Sequence, residues 1–138
     1  MNSIAMRMCA VGTLVMLLGG LPAASQTLEP YQATASIGDS TTCPSAQCVL
    51  SFPAVPGGKR LVLTSVSAQL GTASNQLVLE GGGVTYFVPK AHPDLGYLAA
   101  PVTVYYGPGS TPTARIFAPN TSQPTSLIVT LVGHLVPQ

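Results

Sequence analysis

The chain has 138 residues, 46% of them hydrophobic and only 7% charged, with five basic side chains against four acidic ones. That length accommodates one domain with a modest core and leaves no room for a catalytic domain beside a cofactor domain. A net charge of +1 with no basic run removes the electrostatic attraction on which nucleic-acid binding depends, so no nucleic acid is expected as a partner.

Residues 1–25 read as a secretory signal peptide. Arg7 charges a short n-region, an apolar run extends from Cys9 to Leu18, a Gly-Gly-Leu-Pro break follows, and Ala23-Ala24-Ser25 presents small side chains to a peptidase, with cleavage expected after about Ser25. The apolar stretch up to Leu21 is about 13 residues, short of the roughly 20 that span hydrocarbon. Cys9 stands at the start of the apolar run, whereas a lipid-bearing cysteine would stand at its end. The mature chain is therefore expected to be residues 26–138, secreted or periplasmic, with no membrane span. In it Lys59, Arg60, Lys90 and Arg115 balance Glu29, Asp39, Glu80 and Asp94.

Tyr31, Ala33, Ala35 and Ile37 alternate with Gln32, Thr34 and Ser36, which predicts a strand with one apolar face. Cys43 and Cys48 are the two cysteines left after processing, and an even count in an exported chain reads as a disulfide. So small a ring pins a local turn, for roughly 2 kcal/mol. A redox pair would need two-residue spacing and a helix start, and a zinc site two further ligands near by. Cys48–Phe52 is the next strand, ended by Pro53, and Pro56-Gly57-Gly58 turns the chain into Lys59–Leu70, the longest stretch free of Gly and Pro. Leu61 and Leu63 lie on one parity of that segment and Val66, Ala68 and Leu70 on the other, so a bulge is expected near Thr64-Ser65.

Gln76–Glu80 and Val84–Val88, joined through Gly81-Gly82-Gly83, suggest a hairpin. The irregular tract Pro89–Gly96 is the candidate binding loop, with Lys90, His92 and Asp94 and, just beyond it, Tyr97. Val102–Tyr106 and Thr113–Ala118 flank a turn from Gly107 to Pro112. Asn120–Pro124 then leads to Thr125–Val136, whose apolar side chains on both parities suggest a central strand, or an edge covered by something else. Asn120-Thr121-Ser122 matches a glycosylation acceptor pattern, but turn chemistry between Pro119 and Pro124 accounts for it without modification. Eight or nine strands punctuated so often predict an all-β chain: a single antiparallel β-sandwich, jelly-roll or immunoglobulin-like.

Gly57-Gly58-Lys59-Arg60-Leu61-Val62, the Tyr105-Tyr106-Gly107-Pro108-Gly109-Ser110-Thr111-Pro112 turn and the closing Val129-Thr130-Leu131-Val132-Gly133-His134-Leu135-Val136 resemble small exported bacterial proteins with no assigned activity. The resemblance implies export and a β-sandwich, and it brings no catalytic or binding residues. Tyr is the residue expected where this chain has His134.

Catalysis finds little footing. No Gly-x-Ser-x-Gly elbow occurs, and a small hydrolase built on His92 and Asp94 would require a hydroxyl about 3 Å from His92. A glycosidase pair has few carboxylates to draw on. His92, Asp94, His134 and Glu80 are too sparse in sequence to favour a metal, and the three glycines precede a strand rather than a phosphate-binding helix. No cofactor is expected. What remains is a nearly uncharged exterior, suited to contact with another neutral surface. Of Tyr31, Tyr86, Tyr97, Tyr105 and Tyr106, at least three are expected to pack the core. The reading is a non-enzymatic interaction or structural protein, a homo-oligomer or envelope component. The alternative is a small-ligand or carbohydrate-binding domain, which would gather exposed Tyr, Asn and Asp in one concave patch.

Overall fold

The computed structural model describes residues 28–38, 47–71, 76–117 and 126–138, and in them the chain forms eight β-strands and no helix. They are β1 (Glu29–Ile37), β2 (Gln47–Ser51), β3 (Lys59–Leu70), β4 (Leu77–Gly81), β5 (Val84–Phe87), β6 (Tyr97–Tyr106), β7 (Thr113–Phe117) and β8 (Leu127–Pro137). Residues 1–25, Cys43 and Asn120 lie outside the described residues, and with them the expected signal peptide, one end of the expected disulfide and the acceptor pattern.

The strands form two antiparallel four-stranded sheets, the first in the order β1-β8-β3-β6 and the second in the order β2-β7-β4-β5. Four of the pairings join β1 to β8, β2 to β7, β3 to β6 and β4 to β5. These are the pairs one long hairpin would make, with its tip between β4 and β5. Two further pairings, β3 with β8 and β4 with β7, fix how that hairpin is divided between the sheets. The tip is the expected Gly-rich hairpin: Gly82 and Gly83 have φ of 57° and 84°, positive at both central positions, as a turn matched to strand twist requires.

Period-two alternation explains what is buried. Along β6 every even-numbered residue from Leu98 to Tyr106 is buried and every odd-numbered one exposed. In β8, Leu127, Val129 and Leu131 are fully buried. With Leu61, Leu63 and Val66 of β3, Leu77 and Leu79 of β4 and Ile116 of β7 they belong to a single cluster drawn from both sheets. Side chains of this size contribute roughly 1.5–3 kcal/mol each when fully buried. The register of β3 against both its neighbours shifts between Leu63 and Ser65, where the change of apolar parity placed a bulge. β8 lies between β1 and β3, the central position its two-sided apolar pattern suggested.

One boundary differs from the sequence reading. The strand expected to open at Val102 opens at Tyr97 and runs through Pro101. Proline ends most strands because it cannot donate to the ladder, but it is tolerated on an edge with its nitrogen turned to solvent, and β6 is an edge.

Gly133 of β8 stands opposite Leu63, beside the register shift, and a Cβ built there would lie 2.1 Å from the carbonyl oxygen of Val62. That contact is backbone, so relief requires β8 to move away from β3. Gly133→Ala is expected to cost about 3 kcal/mol, the upper part of the range for overpacking. Gly107→Ala, where nothing lies within 4 Å, should cost under about 1 kcal/mol. Denaturant titration of both variants measures the contrast, and equal costs would sink the steric account.

Candidate functional site

The candidate loop residues separate on folding. Lys90 Nζ donates to the carbonyl oxygen of Pro93 at 3.0 Å, closing the loop on itself. His92 Nδ1 lies 3.6 Å from Asp94 Oδ2, and their side chains are 63% and 85% exposed, so the pair stands in solvent, where attraction between charges is weak. Tyr97 is not in this loop: it opens β6, with its ring on the outer face of the first sheet. The residues weighed as metal ligands also part company. His134 lies on that same outer face, while Glu80 sits in β4 of the second sheet.

The five tyrosines divide by strand parity. Tyr106 is fully buried, and Tyr31 and Tyr86 are half-buried against the core cluster, whereas Tyr97 and Tyr105 are 64% and 54% exposed. Tyr105 and Tyr106 are neighbours on one strand and therefore face opposite ways. The two exposed rings, eight residues apart on β6, are separated by about 26 Å of extended chain. They stand at opposite ends of the face and do not converge on one concave patch.

That face can be read row by row across β1, β8, β3 and β6. Ser36, Ile128, Gln69 and Tyr97 form one row; Thr34, Thr130, Ser67 and Ala99 the next; Gln32, Val132, Ser65 and Pro101 the third; Pro30, His134, Val62 and Tyr105 the fourth. No carboxylate, lysine or arginine stands in these rows. The ion pair between Lys59 and Glu29 lies beyond them, at the end of the sheet. Thr34 and Thr130 hydroxyls share a hydrogen bond of 2.9 Å across the strands. Ser67, Gln69, Ile128, Thr130 and Tyr97 line a shallow open depression in the face.

The outer side of the second sheet is different. Arg115 of β7 pairs with Glu80 of β4, its Nε donating to Oε2 at 2.9 Å, and its Nη1 donates to Gln47 Oε1 at 3.1 Å. Arg115 and Glu80 are 35 residues apart, and no local motif announces the pair; only the β4–β7 register brings them together. Of the seven exposed large apolar side chains among the described residues, four (Tyr97, Tyr105, Ile128 and Val132) belong to the first sheet's face and two, Val49 and Phe87, to the second's. With strands about 4.8 Å apart and some nine residues long, the first face covers on the order of 600 Å². That is the scale of the functional patches found on soluble proteins. Exposed Tyr with few charges is also the composition of interface centres.

Among the described residues no helix is long and apolar enough to cross a membrane. No protein-family model, no curated protein and no solved structure matches the chain.

Behind this face, Tyr106 ties the two sheets together: its hydroxyl donates to the backbone oxygen of Glu80 at 3.2 Å. Burial, aided by Tyr31 and Glu80 close by, pushes its pKa from 10 up to about 12. Between these values the unfolded chain has given up a proton that the folded chain keeps. Stability therefore stands whole below pH 10 and is lost as pH rises towards 12. Tyr106→Phe should cost about 1 kcal/mol at neutral pH through the lost hydrogen bond and flatten the loss of stability between pH 10 and 12. Denaturant titrations at stepped pH measure both; an unchanged alkaline slope would remove Tyr106 as its source.

Proposed function

We propose that the chain is an exported, non-enzymatic interaction module, a β-sandwich of jelly-roll topology, acting by broad contact through the outer face of its first sheet. The observation that carries this reading is the absence of carboxylate, lysine and arginine from four consecutive rows of that face, while Tyr97, Tyr105, Ile128 and Val132 stand out from it. Groups of this kind shed water at little cost when a neutral partner covers them, since no charge has to be desolvated.

The topology supports the jelly-roll over the immunoglobulin-like alternative. In the latter the first two strands pair in one sheet, whereas here β1 and β2 belong to different sheets and the long-hairpin pairing runs through all eight strands. Export is supported by the leader pattern of residues 1–25 and by the cysteine pair. Cys48 is buried at the start of β2, and Cys43 lies five residues before it, within reach of a bridge. Mass spectrometry of the exported protein under non-reducing conditions is expected to find a chain beginning at Gln26 and lighter by two hydrogens than its reduced form.

A photo-crosslinking side chain placed at Ala99, in the middle of the proposed contact face, tests the function. The same group at Thr85, on the outer side of the second sheet, is the control. In the producing cells Ala99 should yield discrete crosslinked species and Thr85 few or none. Equal yields from the two faces, or none from Ala99, would overturn the assignment of the contact to the first sheet.

A further inference from the structure

The two sheets have four lateral edges, and three of them carry a feature that discourages pairing with another chain. β2 and β5 are five and four residues long, too short to template a stable ladder, and β6 is interrupted by Pro101. Short edges and prolines are the ordinary means by which sheets avoid edge-to-edge association. β1 has neither in its central part. From Tyr31 to Ile37 it presents seven residues without proline or charge, Glu29 and Pro30 being confined to its start. Among the described residues it is paired on one side only, with β8.

We propose that the outer edge of β1 pairs with β1 of a second copy, antiparallel about a two-fold axis, joining two first sheets into one of eight strands. The partner is a second copy because an antiparallel strand is complementary to itself: each unpaired N–H of one copy meets a C=O of the other through the symmetry operation. Centring the axis on Thr34, the midpoint of the uncharged stretch, pairs the most residues. It sets Gln32 opposite Ser36 of the second copy and Ala33 opposite Ala35. Residues of like parity then meet, so Tyr31, Ala33, Ala35 and Ile37 stay on the core side of both copies. The absence of charge between Tyr31 and Ile37 means that two identical strands meet without repulsion. The inference stands on the sheet's edge and not on its outer face, so it survives or fails separately from the contact reading above.

Light scattering on a concentration series of the processed chain should give a dimer, with hydrogen exchange at the amides of residues 31–37 slowing as concentration rises. Gln32→Lys with Ser36→Lys places like charges opposite each other twice across the axis and should raise the dissociation constant roughly tenfold. Gln32→Lys with Ser36→Glu places opposite charges there and should restore the dimer. A monomer at every concentration overturns the proposal. So does protection of β1 amides independent of concentration, which would mean that the chain's own residues cover the edge. A dimer indifferent to the paired lysines would place the contact elsewhere. The exchange measurement on the unmodified chain decides the question even if a variant fails to fold.

Discussion

Side chains on a strand alternate between two faces, so the register of one central strand decides both what a sheet buries and what it displays. Here that strand is β8. Held between β1 and β3, it buries Leu127, Val129 and Leu131 and turns Ile128, Thr130 and Val132 outward. A slip of one residue would exchange the two sets, burying a threonine and exposing three large aliphatic side chains. Gly133 resists such a slip, because only a residue without Cβ fits against the Val62 carbonyl. Core and outer face are thus two readings of one register.

The outer face inherits its flatness and neutrality from that arrangement. Four strands contribute side chains at matching heights; half of those that point outward are Ser, Thr, Gln and Ala, the rest are mainly aliphatic side chains and prolines, and tyrosines stand near two corners. Arg60 stands at the end of this face, one row beyond the four and opposite Val136; the other described charged side chains are placed elsewhere. Lys59 and Glu29 pair at the sheet's end, Arg115 and Glu80 on the other sheet, and Lys90, His92 and Asp94 lie in a solvent-exposed loop. With Arg60 at its end and the other charges engaged away from it, the four central rows carry no fixed carboxylate, lysine or arginine charge.

Much of this was legible in the residue pattern because strand formation is a local matter. The parity change in Lys59–Leu70 marked the register shift at Leu63–Ser65, the glycines before Val84 marked the hairpin, and the two-sided apolar pattern of the last segment marked a central strand. Pro101 misled, since whether proline breaks a strand depends on having a neighbour on its nitrogen side. That is a property of the sheet and not of the segment. The outer face itself was legible only in part: neutrality could be counted along the chain, but its concentration on one sheet depends on which strands become neighbours. The Arg115–Glu80 pair is the same case, a contact made by topology between residues that sequence distance keeps apart.

The proline in β6 carries a further consequence. A module with two receptive edges on one sheet would recruit copies without end and grow into a ribbon. With the far side of the sheet closed off at Pro101, the proposed symmetric union of two β1 strands would use the one receptive edge of the first sheet among the described residues. Such an assembly would be finite by construction, a property of some value to a protein dense in β-structure and nearly devoid of the charge that otherwise keeps such chains apart.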